Sequence, residues 1–151
     1  MGNICRSPLA EGLFLHLARE RGLADRFEVD SCGIGDWHIG HAPDPRSQAV
    51  AEKNGVTLVC RARQVDRYKD FESFDLILAM DRANLRDLRE LSPAEHHGKI
   101  SLMREWDAET SEEHPEVPDP YYRGPQGFED MYAMLRRSCA SLLDELASKS
   151  G

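Results

Sequence analysis

Leu9, Leu13 and Leu17, flanked by Ala10, Phe14 and Ala18, recur at helical spacing over residues 7–21, and Gly22 follows as a stop. That pattern predicts a helix. Phe27, Val29 and Ser31 alternate with charged neighbours up to Cys32, which reads as a strand over residues 27–32, broken by Gly33-Ile34-Gly35. Asp44 and Pro45 offer an N-cap and a first-turn proline for a helix through Lys53, ended by Asn54-Gly55. Residues 56–59 read as a short extended piece. Within residues 74–80, Leu76-Ile77-Leu78-Ala79-Met80 has no polar interruption, the pattern of a strand covered on both faces of a parallel sheet. Asp81 caps a helix over residues 82–91, residues 99–103 form a further short strand, and residues 105–118 make an acidic, aperiodic loop with a solvated surface. A closing helix over residues 128–147 puts Met131, Leu135, Leu142, Leu143 and Leu146 on one face.

This alternation of strands and helices predicts an α/β fold, a three-layer α/β/α sandwich around a parallel sheet, with ligands received beyond the carboxyl ends of the strands. No repeat, low-complexity tract or long linker divides it, so residues 1–151 read as one domain. The chain opens inside what reads as a strand-to-helix loop, with no strand in front of it.

Composition narrows the partners. The 151 residues carry 27 acidic and 19 basic side chains, a net charge of −8 and a pI near 5.2. Such a balance argues against nucleic acid and anionic membrane, which attract clustered Lys and Arg. No apolar run approaches the roughly 20 residues of a membrane span and no secretory leader opens the chain, so a cytoplasmic location is expected. The four cysteines, at 5, 32, 60 and 139, show neither Cys-x-x-Cys pairing nor metal-type spacing. Neither a disulfide framework nor a zinc site is expected.

The richest chemistry lies at the start. Gly2 and Asn3 tolerate the positive φ values that turn successive backbone N–H groups of Gly2-Asn3-Ile4-Cys5 toward one point, Ser7 is a competent N-cap, and Pro8 suits the first helical turn. Arg6 then stands at the positive end of a helix, and its fork, the amides and the helix terminus together form a receptacle for phosphate or sulfate. On these residues alone, an ordinary capped helix start with Arg6 paired to a carboxylate is an equal reading.

Gly2-Asn3-Ile4-Cys5-Arg6-Ser7-Pro8-Leu9-Ala10-Glu11 resembles the phosphate loop of the low molecular weight protein tyrosine phosphatases, and Asp119-Pro120-Tyr121-Tyr122 resembles their general-acid loop. Trp37-His38-Ile39-Gly40, Ala62-Arg63-Gln64-Val65 and the run from Met80 to Leu88 match the bacterial members in order and at compatible spacing. The resemblance implies hydrolysis of phosphotyrosyl proteins or small aryl phosphates through a phosphocysteine, without a cofactor. It also implies roles. Gly2, Asn3, Ile4, Cys5, Arg6 and Ser7 would bind phosphate, Arg6 stabilising the transition state and Ser7 hydrogen-bonding the sulfur. Asp119 would protonate the leaving phenolate, and Trp37, Tyr121 and Tyr122 would wall the aryl cleft. Without the resemblance, Trp37 reads as a plug under a loop, Asp119 as a turn former and Asp81 as a simple N-cap.

One departure is large. The family's loop places its nucleophilic cysteine six positions before the arginine, and six positions before Arg6 lies one residue upstream of Met1. Six residues beyond the four cysteines stand Glu11, His38, Asp66 and Glu145, so none of them fits the pattern. The chain as written is therefore expected to lack both its first strand and its nucleophile, and to be inactive alone. A late start site or truncation, a phospho-ligand-binding relative without turnover, and a degraded gene product each account for this; the presence of Arg6, Ser7 and Asp119 favours the first. Val59-Cys60 also replaces the family's usual Ser-His. Arsenate reduction on the same scaffold needs relay cysteines near Met80, and none occurs between Cys60 and Cys139.

Overall fold

Helix α1 (Arg6–Glu20) buries Leu9, Leu13, Phe14, Leu17 and Ala18, the stripe that its spacing predicts. It stops because Gly22 takes φ 69°, letting its N–H reach the Arg19 carbonyl (3.1 Å) and the Leu23 N–H reach that of Ala18 (2.8 Å), a Schellman ending. The computed structural model describes residues 6–35, 39–59, 61–121 and 123–149. Helix α2 (Pro45–Lys53) starts at Asp44, whose side chain accepts from the Arg46 amide, and ends in the same way at Gly55, with φ 79°. A short turn of helix, α3 (Asp70–Ser73), precedes strand β1 (Ile77–Ala79). Helix α4 (Arg82–Leu91), capped by Asp81 onto the Asn84 amide, leads to strand β2 (Ile100–Leu102). The 26-residue helix α5 (Gly124–Lys149) closes the fold.

β1 and β2 pair in parallel with Ile77 opposite Ile100 and Ala79 opposite Leu102. Side chains alternate across a strand, and here the alternation separates two cores. Leu76, Leu78 and Met80 face the large core of α1, α2 and α5, whereas Ile77, Ala79, Ile100 and Leu102 face a smaller one built with Phe71 and Leu88. The layers are thus helix, sheet, helix, as the pattern predicts. No helix among the described residues is long and apolar enough to cross a membrane.

The differences lie in the sheet. Residues 27–32 form no ladder; the nearest sheet contact is a parallel bridge between Gly33 and Gln64. The run 74–80 contributes only three residues of ladder. A strand is defined by a hydrogen-bonded neighbour. Between residues 28–32 and residues 76–80 there is instead a cavity of about 990 Å³, floored by apolar side chains such as Phe14, Val29, Leu78, Met103 and Leu142. Most of residues 105–116 are exposed as expected, but Asp107 is buried. Arg104, 5% exposed, donates to Asp107 (3.0 Å) and to the carbonyls of His114 (2.9 Å) and Glu116 (3.0 Å), and Arg137 grips the same buried Asp107 from α5.

Candidate active site

Arg6 is the first residue of α1 and is only 6% exposed. A guanidinium that deep needs partners, and Nη1 finds two: Asp81 Oδ2 at 2.8 Å and the Val117 carbonyl at 2.8 Å. Both anchors are products of the sheet. Asp81 stands just past β1, after Met80, and Val117 is drawn to the same strand end by its N–H donating to the Met80 carbonyl (2.8 Å). Both of these contacts fall on the same terminal nitrogen of the guanidinium.

Asp81 therefore does two things, capping α4 and bracing Arg6. Burial alone would raise its carboxyl, but the Asn84 amide and the Arg6 guanidinium outweigh that and hold it below the ordinary carboxylate range. It is a fixed negative charge. The carboxylate-paired reading of Arg6 is thus what its described contacts show, and the residue also lines a cavity.

Asp119 stands two residues beyond Val117, the residue whose carbonyl Arg6 holds. Its Oδ1 accepts from the Tyr121 amide (3.0 Å), and Pro120 between them is buried. Arg6, Ser7, Asp119 and Tyr121 all line the one 990 Å³ cavity. Gly2, Asn3, Ile4 and Cys5 of the loop, and Trp37 and Tyr122 of the expected cleft walls, lie outside the described residues, as does Cys60. Neither described cysteine is activated. Burial pushes the Cys32 thiol up to about 11 and the Cys139 thiol up to about 12, so both stay protonated at neutral pH.

Sequence reasoning missed Arg46. Its Nη1 donates to the Tyr121 carbonyl (2.8 Å), while Nε and Nη2 grip both oxygens of Asp44, which had read only as a helix cap. The one available signal was an arginine two residues after a capping aspartate.

An arginine braced at a helix start and an aspartate on a separate loop thus line one cavity of an α/β fold. The chain belongs to the low molecular weight phosphotyrosine protein phosphatase family, whose model matches residues 1–150. It is 40% identical to the low molecular weight phosphotyrosine protein phosphatase of Schizosaccharomyces pombe, over 97% of this chain and 93% of that one. A low molecular weight protein-tyrosine-phosphatase of Streptomyces coelicolor is 41% identical over 94% and 87%. The crystal structure of an Entamoeba histolytica protein tyrosine phosphatase, with Hepes in its active site, superposes with a TM-score of 0.93 at 32% identity, covering 100% of this chain and 95% of that one.

Proposed function

We propose that this chain forms one cytoplasmic phosphotyrosine phosphatase domain that works through a phosphocysteine, the nucleophile being a cysteine placed directly before Met1 at the end of a strand that fills the cavity beside β1. Its thiolate attacks phosphorus as the P–O(aryl) bond breaks, and Asp119 delivers a proton to the departing phenolate. Water then attacks phosphorus, its proton returns to Asp119, and the P–S bond breaks to release phosphate and regenerate the thiolate. The Nε–Nη2 edge of Arg6 holds two equatorial oxygens and meets the charge spread over them. Ser7 hydrogen-bonds the sulfur, and the amides of Gly2, Asn3, Ile4 and Cys5 complete the cradle. A sulfur among N–H donors at a helix start falls below the usual thiol value of about 8.5 and is a thiolate at neutral pH. Trp37, Tyr121 and Tyr122 wall the aryl group, and phosphotyrosyl proteins or small aryl phosphates are the substrates.

The observation that supports this reading most is that Arg6 and Asp119 border one cavity, with Arg6 tied to the carbonyl two residues before the acid. The 151-residue chain should hydrolyse p-nitrophenyl phosphate no faster than buffer, since a lost nucleophile costs on the order of 10⁶ in turnover. Adding an apolar strand that ends in cysteine should restore the activity. If the extended chain folds and stays inert, the reading is wrong; if the chain as written then binds phosphate by calorimetry and Arg6→Ala abolishes it, the protein is a phospho-ligand-binding relative without turnover.

A further inference from the structure

The loop that carries Asp119 is held from outside the cavity. Arg46, the second residue of α2, makes a bidentate ion pair with the buried Asp44, Nε to Oδ1 at 3.0 Å and Nη2 to Oδ2 at 2.9 Å. That pairing fixes the plane of the guanidinium. Its remaining terminal nitrogen, Nη1, donates to the Tyr121 carbonyl at 2.8 Å. The guanidinium carbon lies 4.9 Å from the centre of the Tyr121 ring and 4.6 Å from that of Phe128, both within cation–π range. Tyr121 in turn donates its amide to Asp119 Oδ1. A path of direct contacts thus runs from Asp44 through Arg46 and Tyr121 to the carboxyl group, and with Oδ1 committed to an amide the transferable proton is directed to Oδ2.

We propose that Arg46 is a positioning residue for the Asp119 acid, holding Tyr121 by carbonyl and ring so that the carboxyl keeps its orientation over the leaving oxygen. The role rests on the reading of Asp119 given above. The plain alternative is that Arg46 only ties α2 to the start of α5, in which case its loss would weaken the fold without regard to the leaving group.

Leaving groups separate the two. In the strand-extended chain, Arg46→Met should lower kcat/KM for phenyl phosphate by about tenfold or more, a share of the roughly 10²–10⁴ that a general acid supplies. For p-nitrophenyl phosphate, whose phenol leaves with little help, the loss should stay within about threefold. Arg46→Lys should not rescue, because an ammonium lacks the planar fork. In an Asp119→Asn background, Arg46→Met should add almost nothing, the mark of residues acting together. In the 151-residue chain as it stands, Arg46→Met should speed amide exchange at Tyr121 at least about tenfold. Equal losses on both esters, additive losses with Asp119→Asn, or unchanged exchange at Tyr121 would overturn the role. An extended parent without turnover would overturn the functional reading instead, and with it the catalytic half of this role; the exchange experiment still reports whether Arg46 holds Tyr121.

Discussion

The helical layer of α1, α2 and α5 and the sheet beside it were built from the same kinds of apolar residue, yet they are finished to different degrees. On the helical side Leu9, Leu13, Leu135 and Leu143 are wholly buried against one another. On the sheet side two three-residue strands stand next to a 990 Å³ cavity, and the extended residues beyond it have no ladder. Close packing of a helix pair is satisfied by contacts that both helices carry. A sheet is satisfied only when every edge is paired or covered. The cavity borders Arg6 and Asp119, so the least completed part of the packing coincides with the proposed chemistry.

Substitutions can sharpen that contrast. The largest effect should come from Arg6→Ala in the strand-extended chain, a fall in kcat/KM on the order of 10³-fold, as for loss of a preorganised charge at a transferring phosphoryl group. Asp107→Asn comes next: it leaves Arg104 and Arg137 without their shared buried carboxylate, and urea unfolding should show a loss of about 3–5 kcal/mol. The same truncation on the two sides then compares them directly. Leu13→Ala should cost about 3–5 kcal/mol, because α1 and α5 cannot close over the void, whereas Leu78→Ala, already bordering empty space, should cost under about 2 kcal/mol. If the two losses are equal, the cavity is not a real deficit in packing.

The smallest effect is the pH dependence. Asp81 and Asp107 both have folded-state values below their unfolded ones, so between the two the unfolded chain binds more protons. The stability they contribute is fully present above the ordinary carboxylate value of about 4 and is lost as pH falls through the folded values. Asp81→Asn, which keeps the helix cap but not the charge facing Arg6, should flatten this acid limb by about 1 kcal/mol in urea midpoints compared at pH 7 and pH 3.

Helices α2 and α4 could be read almost to the residue, because their determinants are local, whereas α5 already begins at Gly124, ahead of the expected residue 128. Asp44-Pro45 and Asn54-Gly55 bracket α2, and Asp81 fixes the start of α4. The sheet could not, since whether residues 27–32 become a strand depends on what lies beside them. The site divides in the same way. Arg6 and Asp119 announce themselves through short motifs with defined spacing. The tie from Arg46 to Tyr121 spans 75 positions, and those from Arg104 and Arg137 hold one buried carboxylate, Asp107, within an otherwise largely exposed acidic stretch. No periodicity or composition encodes such pairings.

The proposed function routes phosphoryl transfer through a sulfur placed directly before Met1. Quenching the strand-extended chain during turnover of p-nitrophenyl phosphate and weighing it by mass spectrometry tests this at the atom concerned. One added phosphoryl group is expected, mapped to the cysteine preceding Met1 and absent in Arg6→Ala. Turnover with that cysteine unmodified, or with the phosphoryl group on another residue, would contradict it.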